Sequence, residues 1–352
     1  MTVMRDEIAE IPAVVRALLT DGAAARTKVA AAIRRASPAW VSIVARGTSD
    51  HAAVYGSFLV ETQLGLPSGL ASPSVTTVYR APIRWRGGLV IAISQSGQSP
   101  DVVAVTRAAR EAGAITVAIT NTPGSPLAAV AEHELPCGAG AERAVAATKT
   151  YVAELAVLAG LVAELAPTSA VAGALPSVPD ALDLALMASS SWVDGPAGSE
   201  LVTAIAAAGR AIVASRGFNL ATALEVSLKL KETSGIFAEG YSTADLEHGP
   251  IALAAPDVPL LVVRPDGPMG QAIDGSVTRA SAGGSMSWVI GGREVHGTAR
   301  GLSLAAAGDD LPEALSPLLY VLPGQLVAEA VARRLGRNPD APEGLTKVTL
   351  TR

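Results

Sequence analysis

The sequence predicts an α/β protein built from two tandem, doubly wound parallel-sheet domains. Three observations predict it. Short, continuously apolar, β-branched runs such as "LVIAI" (89–93) alternate with longer amphipathic Ala/Leu stretches. Continuous apolar strands set between helices read as parallel strands covered on both faces. The chain also repeats itself at an offset of 170 residues. "IVARGTSDHAAVYGSFLVE" (43–61) sets against "VASRGFNLATALEVSLKLK" (213–231), so Arg46-Gly47 fall on Arg216-Gly217. The same offset lays "LVIAISQSG" (89–97) on "PLLVVRPDG" (259–267) and "AGAITVAITN" (112–121) on "AGGSMSWVIG" (282–291). One register that survives three segments without a gap marks an internal duplication.

The elements follow in order. A helix at 4–19 precedes the first copy. The first copy's strands fall at 41–45, 89–94, 115–120 and 133–136, and its helices at 50–64, 101–112, 125–131 and 147–165. "LPSVPDALDL", rich in Pro and Ser, reads as the joint between the copies. These readings set an N-terminal helical segment at 1–27, a first domain at 28–175, a second at 195–336 and a C-terminal tail at 337–352.

Bulk composition narrows the function classes. The 352 residues suffice for two domains, and 49% hydrophobic against 17% charged content supports a large core. A net charge of -5 offers no basic footprint for nucleic acid. A single cysteine, Cys137, excludes a disulfide scaffold and fits a reducing, cytoplasmic setting. The opening "MTVMRDEIAEIPAVV" lacks the build of a signal peptide, and no apolar run is expected to span a membrane.

Ligands of open α/β sheets sit beyond the carboxyl ends of strands, near a topological switch point. "SQSGQSPD" (94–101) stands at such an end, where Gly97 permits a tight turn, Ser99 is placed as an N-cap and Pro100 opens a helix. Helix N–H groups and hydroxyls together favour an anion, and phosphate above all. "GTSD" (47–50) is built alike. Ser49, Ser94, Gln95, Ser96 and Ser99 are therefore the expected donors of one phosphate cradle; serines that merely cap helices are the plainer reading. The second copy lacks the hydroxyl cluster, carrying Arg264-Pro265-Asp266-Gly267 instead. No nucleotide P-loop, dinucleotide fingerprint, nucleophile elbow or metal box is present, and no metal or organic cofactor is expected.

"ALEVSLKLKETSGIFAEGYSTADLEHGP" (223–250) carries the acid–base groups. Glu225, Lys229 and Glu232 are spaced four and three apart and share a helix face. An exposed, salt-bridged stripe is the commoner fate of such a triplet. Leu224, Val226, Leu228 and Leu230 around it argue for burial, which makes proton transfer the expectation here. His248 lies in a Gly-Pro turn close enough to fold back on that helix, whereas His133 and His296 read as surface or structural.

"GTSD", "SQSGQSPD", "AVAATKTY", "ALEVSLKLKE", "EHGP" and "PEGLTKV" resemble, in order, the isomerase half of glucosamine-6-phosphate synthase and its relatives, the tandem sugar-isomerase (SIS) proteins with flavodoxin-like domains. The resemblance implies phosphosugar binding around Gly47, Thr48, Ser49, Ser94, Gln95, Ser96, Gly97 and Ser99, with Ala147 and Glu225 nearby. It implies proton transfer between C1 and C2 by Glu232, assistance by Lys229, and ring opening by His248 from a neighbouring subunit, hence a homodimer with a shared active site. Lys347 matches the tail lysine that forms a Schiff base in the synthase. There are departures. The chain opens "MTVMRDE" with no cysteine nucleophile, so glutamine is not the expected nitrogen source. Ala147, Gln98 and Glu343 stand where the synthase has serine, glutamate and arginine. "ARGTSDHA", "SQSGQSPD" and "VAATK" are more similar to stand-alone SIS-type glucosamine-6-phosphate deaminases, which implies a phosphorylated amino sugar as the partner. Open alternatives are an isomerase or deaminase of galactosamine 6-phosphate or tagatose 6-phosphate, a fructosamine-6-phosphate deglycase, and a non-enzymatic phosphosugar sensor.

Overall fold

The computed structural model describes residues 2–293, 300–308 and 310–347. His296 and the last five residues of the expected tail lie outside them. The described chain forms two compact units, neither continuous in sequence. One comprises residues 13–142, 149–176 and 346–347; the other comprises 2–12, 143–148 and 177–345.

Three helices open the chain where the sequence suggests one: α1 (Val3–Ala9), α2 (Ile11–Asp21) and α3 (Ala23–Ala36). The first of the two sheets has strands β1 (Trp40–Val44), β2 (Ser68–Leu70), β3 (Gly88–Ile93), β4 (Ile115–Thr120) and β5 (His133–Pro136). All are parallel, in the order β2-β1-β3-β4-β5. Its longer helices are α4 (Thr48–Leu59), α5 (Pro100–Glu111) and α6 (Lys149–Leu165), and the helix expected at 125–131 is a short one, Pro126–Val130. The helix expected to run from 50 to 64 changes character at Val60, where a π-helical turn, Val60–Leu64, closes on left-handed Gly65. All six residues of β3 and of β4 are buried, as continuous apolar runs demand. On one face Val90, Ala92 and Ala118 pack with Val102, Val105 and Ala109 of α5. Each fully buried valine of this layer contributes roughly 1.5–3 kcal/mol relative to exposure.

The boundary between the two units falls within the stretch read as a joint, between Pro176 and Ser177, and that stretch is helical. Pro179 sits in the first turn of α7 (Val178–Asp194), a position where its missing N–H costs nothing. Helices α8 (Pro196–Ala208), α9 (Leu220–Ser234), α10 (Pro268–Ala282) and α11 (Ser316–Arg334) follow. The second sheet comprises β6 (Arg210–Ser215), β7 (Phe237–Ser242), β8 (Leu260–Arg264), β9 (Ser287–Gly291) and β10 (Gly301–Ser303). It is again all parallel, in the order β10-β9-β8-β6-β7. Read from its other edge, this is the topology of the first sheet and the flavodoxin-like order.

Two stretches, Ala170–Asp194 and Glu313–Arg334, are long and apolar enough to cross a membrane, against the expectation of none. The first is assembled from two helices and a 3₁₀ turn. The second holds the core helix of its unit: α11 packs on α7, α8 and α9, and its apolar window is buried throughout.

Candidate functional site

The chain turns to one side after β1, pairing β1 with β2, and to the other for β3. The switch point of the first sheet is thus the crevice between the carboxyl ends of β1 and β3, where Val44 stands opposite Ala92. Two of the expected segments meet there. Gly47, with φ +57°, turns the chain from β1 into α4, placing Thr48 and Ser49 in the helix's first turn. Ser94 through Ser99 follow β3, with Gly97 at φ +62°. A side chain on Gly97 would overlap Ser125, so only glycine fits this turn.

The loop's own bonds determine what its hydroxyls offer. Ser94 Oγ accepts Gly97 N at 3.2 Å, and Ser96 Oγ accepts Gln98 N at 3.3 Å. Ser99 Oγ lies 3.4 Å from Ser94 Oγ. A hydroxyl that accepts from the backbone retains its proton for donation, so the loop presents O–H donors. The loop is anchored behind by Asn121 N on Gln95 O and Leu127 N on Gly97 O, each at 3.0 Å.

Two details depart from expectation. Ser99 holds the N-cap position of α5, yet its hydroxyl caps nothing. Asp101 takes Val102 N at 2.9 Å instead, and Arg46 Nε holds the same carboxylate at 2.7 Å. Ser49 Oγ, buried, donates to Glu154 Oε1 on α6 at 2.8 Å and so points inward. Burial pushes the Asp50 carboxyl up, against the opposing pull of His51 and Arg46. Burial likewise pushes the Cys137 thiol up, helped by Glu154 and Glu142, which makes it a poor nucleophile.

In the second unit the triplet on α9 is no exposed stripe. Lys229 and Glu225 are fully buried, while the Glu232 side chain is 26% exposed. Lys229 Nζ stands 2.5 Å from Glu232 Oε2 and 3.3 Å from Glu225 Oε1. Burial would lower the Lys229 ammonium's pKa, but the two carboxylates outweigh it and hold it above the ordinary lysine range. Glu232 is thus the member of the triad that meets the surface. His248 is exposed and makes no side-chain hydrogen bond or ion pair with α9 among the described residues; its turn is closed by its own N–H on Asp245 O. Ala147 is half-buried in the 143–148 loop, which Glu7 holds by accepting Arg143 N at 2.5 Å and Ala144 N at 3.2 Å. Lys347 pairs with Glu142 at 2.9 Å.

Sequence reasoning missed Arg46, Asp101, Glu142 and Glu154. Asp101 and Arg46 stand inside the quoted motifs, beside Pro100 and Gly47, and an acidic residue in a helix's first turn was the available signal. Glu154 gave none, since its partner Ser49 lies 105 residues away, and Glu142 ties Thr150, eight residues on, to Lys347, 205 residues away.

A family model for the SIS domain matches residues 40–163 and 204–278, taking in β1 to most of α6 and the end of α8 to most of α10. The chain is 36% identical over 314 residues to glutamine–fructose-6-phosphate aminotransferase (isomerizing) of Methanothermobacter thermautotrophicus, covering 87% of this chain and 51% of that protein. The chain therefore spans about half the length of the curated relatives it matches. The structure of a candidate phosphosugar isomerase from Silicibacter pomeroyi superposes with a TM-score of 0.85 at 36% identity, over 97% of this chain and all of that one. Glucosamine-6-phosphate deaminase from Thermotoga maritima shares the fold, with a TM-score of 0.70 at 20% identity over 96% of this chain and 100% of that one. With the matched segments covering both sheets' switch points, the chain belongs to the SIS domain family.

Proposed function

We propose that this chain is a phosphosugar enzyme that converts D-glucosamine 6-phosphate and water to D-fructose 6-phosphate and ammonia. The observation that carries an enzymatic reading is the triad of α9, with Glu225 and Lys229 fully buried and Glu232 reaching the surface. Burying charges costs several kcal/mol before pairing offsets it. A module that only senses a phosphosugar needs the serine loop and not this arrangement.

In this reading Ser94, Ser96 and Ser99 donate to the phosphate, with Gly47, Thr48, Ser49, Gln95 and Gly97 shaping the cradle. His248, from a second copy of the chain, shuttles the proton that opens the pyranose. Glu232 takes the C2 proton, giving an enolamine; return of the proton to C1 leaves C1 as an alcohol and C2 as an imine. Water adds to C2 and ammonia leaves. Lys229, 2.5 Å from Glu232, orients that carboxylate and steadies charge on the sugar oxygens, with Glu225 as its counter-charge. General acid–base steps of this kind contribute roughly 10²- to 10⁴-fold each. Phosphate binding away from the reacting carbons supplies orientation. The relative named glucosamine-6-phosphate deaminase supports the fold only, and the aminotransferases support a phosphosugar substrate.

The test is ammonia release from glucosamine 6-phosphate, galactosamine 6-phosphate, a fructosamine 6-phosphate and unphosphorylated glucosamine. Preference for the first is expected, and equal turnover of unphosphorylated glucosamine would refute the cradle. Glu232→Gln should lower kcat by about 10²- to 10⁴-fold while phosphosugar binding survives. Unchanged ammonia release in that variant would remove Glu232 from the role of base.

A further inference from the structure

We infer that Glu142 is the residue that positions Lys347, docking its amine at the start of α6. Glu142 is a buried carboxylate with both oxygens engaged. Its Oε1 accepts Thr150 N at 3.1 Å, and its Oε2 accepts Thr150 Oγ1 at 2.6 Å and Lys347 Nζ at 2.9 Å. Thr150 lies in the first turn of α6, where backbone N–H groups lack helical partners and the helix dipole favours an anion. The carboxylate is therefore fixed from the helix side, and the lysine meets an acceptor already in place. Charge-assisted bonds to a pre-set partner are stronger than those between two mobile chains. The Lys347 side chain is itself only 26% exposed, unlike an ordinary surface lysine. The ion pair sets the Lys347 ammonium against the charge of a carboxylate that is itself buried. This contact joins residues 205 apart, so it fixes the Lys347 side chain through the fold and not through a local turn.

The link to catalysis rests on the role proposed for Lys347; the docking itself does not. The test labels the intact chain with trinitrobenzenesulfonate, follows each lysine by peptide mass spectrometry, and uses exposed Lys28 as the reference. In the wild type Lys347 should react several-fold more slowly than Lys28. Glu142→Gln should raise the Lys347 rate by about tenfold, equivalent to ~1.4 kcal/mol in the docked-to-free equilibrium, and leave Lys28 unchanged. Thr150→Val, which loses one bond to Glu142 but no charge, should move the Lys347 rate far less. Equal Lys347 and Lys28 rates in the wild type would overturn the docking even if Glu142→Gln does not fold, and so would a Lys347 rate unmoved in a folded Glu142→Gln. With glucosamine 6-phosphate, Glu142→Gln should lose kcat by up to about 10²-fold at little change in KM, as misplacement of a reacting group does. Slow labelling in a wild type that turns over no phosphosugar would sink the proposed function and leave the docking standing.

Discussion

The two copies share a topology and have diverged in opposite directions. At the offset of 170 residues, Glu225, Lys229 and Glu232 of α9 fall on Tyr55, Leu59 and Thr62. Tyr55 and Leu59 are fully buried and make the first copy's helix an ordinary core helix. The loops show the reverse. Where the first copy sets serines after β3, the second sets Arg264, buried and paired with Asp274 at 2.7 Å. The glycines at the switch points match in backbone, with Gly47 at φ +57° and Gly217 at +63°, but not in surroundings. A Cβ on Gly47 would meet nothing within 4 Å. A Cβ on Gly217 would meet Met269 Cε at 3.0 Å and Glu313 Oε1 at 3.3 Å. The second copy sets its own side chains, Met269 and Glu313, against the glycine of its switch point. If the first copy's serine loop is the phosphate cradle proposed above, a duplicated fold keeps one such cradle, and the other copy buries charges on its helix.

Five substitutions, in four tests, break or sharpen this contrast, beginning with the largest effect. Lys229→Met should cost about 3–5 kcal/mol, since it strands Glu225 without its counter-charge, and urea unfolding measures it. A loss below ~1 kcal/mol would mean the triad is not the buried network described. Gly97→Ala combines a positive φ with overlap on Ser125 and should cost about 2–4 kcal/mol, with loss of phosphosugar affinity. Gly217→Ala should exceed Gly47→Ala by roughly 1 kcal/mol, because only the former must displace Met269 and Glu313. Equal costs would show the second crevice to be open.

The smallest effect concerns Glu313, whose carboxyl is pushed up by burial. The folded state then holds its proton more tightly than the unfolded chain does. Stability falls as pH rises from the ordinary carboxylate range toward the folded pKa, then levels off. Glu313→Gln should therefore raise the melting temperature near neutral pH, with the gain shrinking on acidification. A gain that grew toward acid pH would contradict the assignment.

The architecture was largely legible because β3, β4 and β8 are continuous apolar runs and the repeat kept its register. The edge strands were not. "FAEGYS" (237–242) forms β7 with Phe237 exposed and only Ala238 fully buried, so it lacks the hydrophobic signal of a central strand. Helix α7 was missed because Pro179 reads as a breaker until its place in the first turn is known. For the candidate site, the serine loop and the charged triplet were visible as local patterns. What holds them, Glu154 on Ser49 and Arg46 on Asp101, depends on strand order and helix packing, which no local window contains.

The interleaving of the two units limits how the gene can be divided. Asp340 receives Val3 N and Met4 N at 2.9 and 2.8 Å, and Glu7 holds the loop at 143–148, all within the unit that carries the second sheet. A truncated chain beginning after residue 176 would discard Glu7 and leave that aspartate without the helix end it clasps. Splitting the protein at the boundary between its sheets would thus leave the second-sheet fragment short of segments that belong to its own fabric, and co-expression of halves should succeed only where the cut respects the borrowed segments.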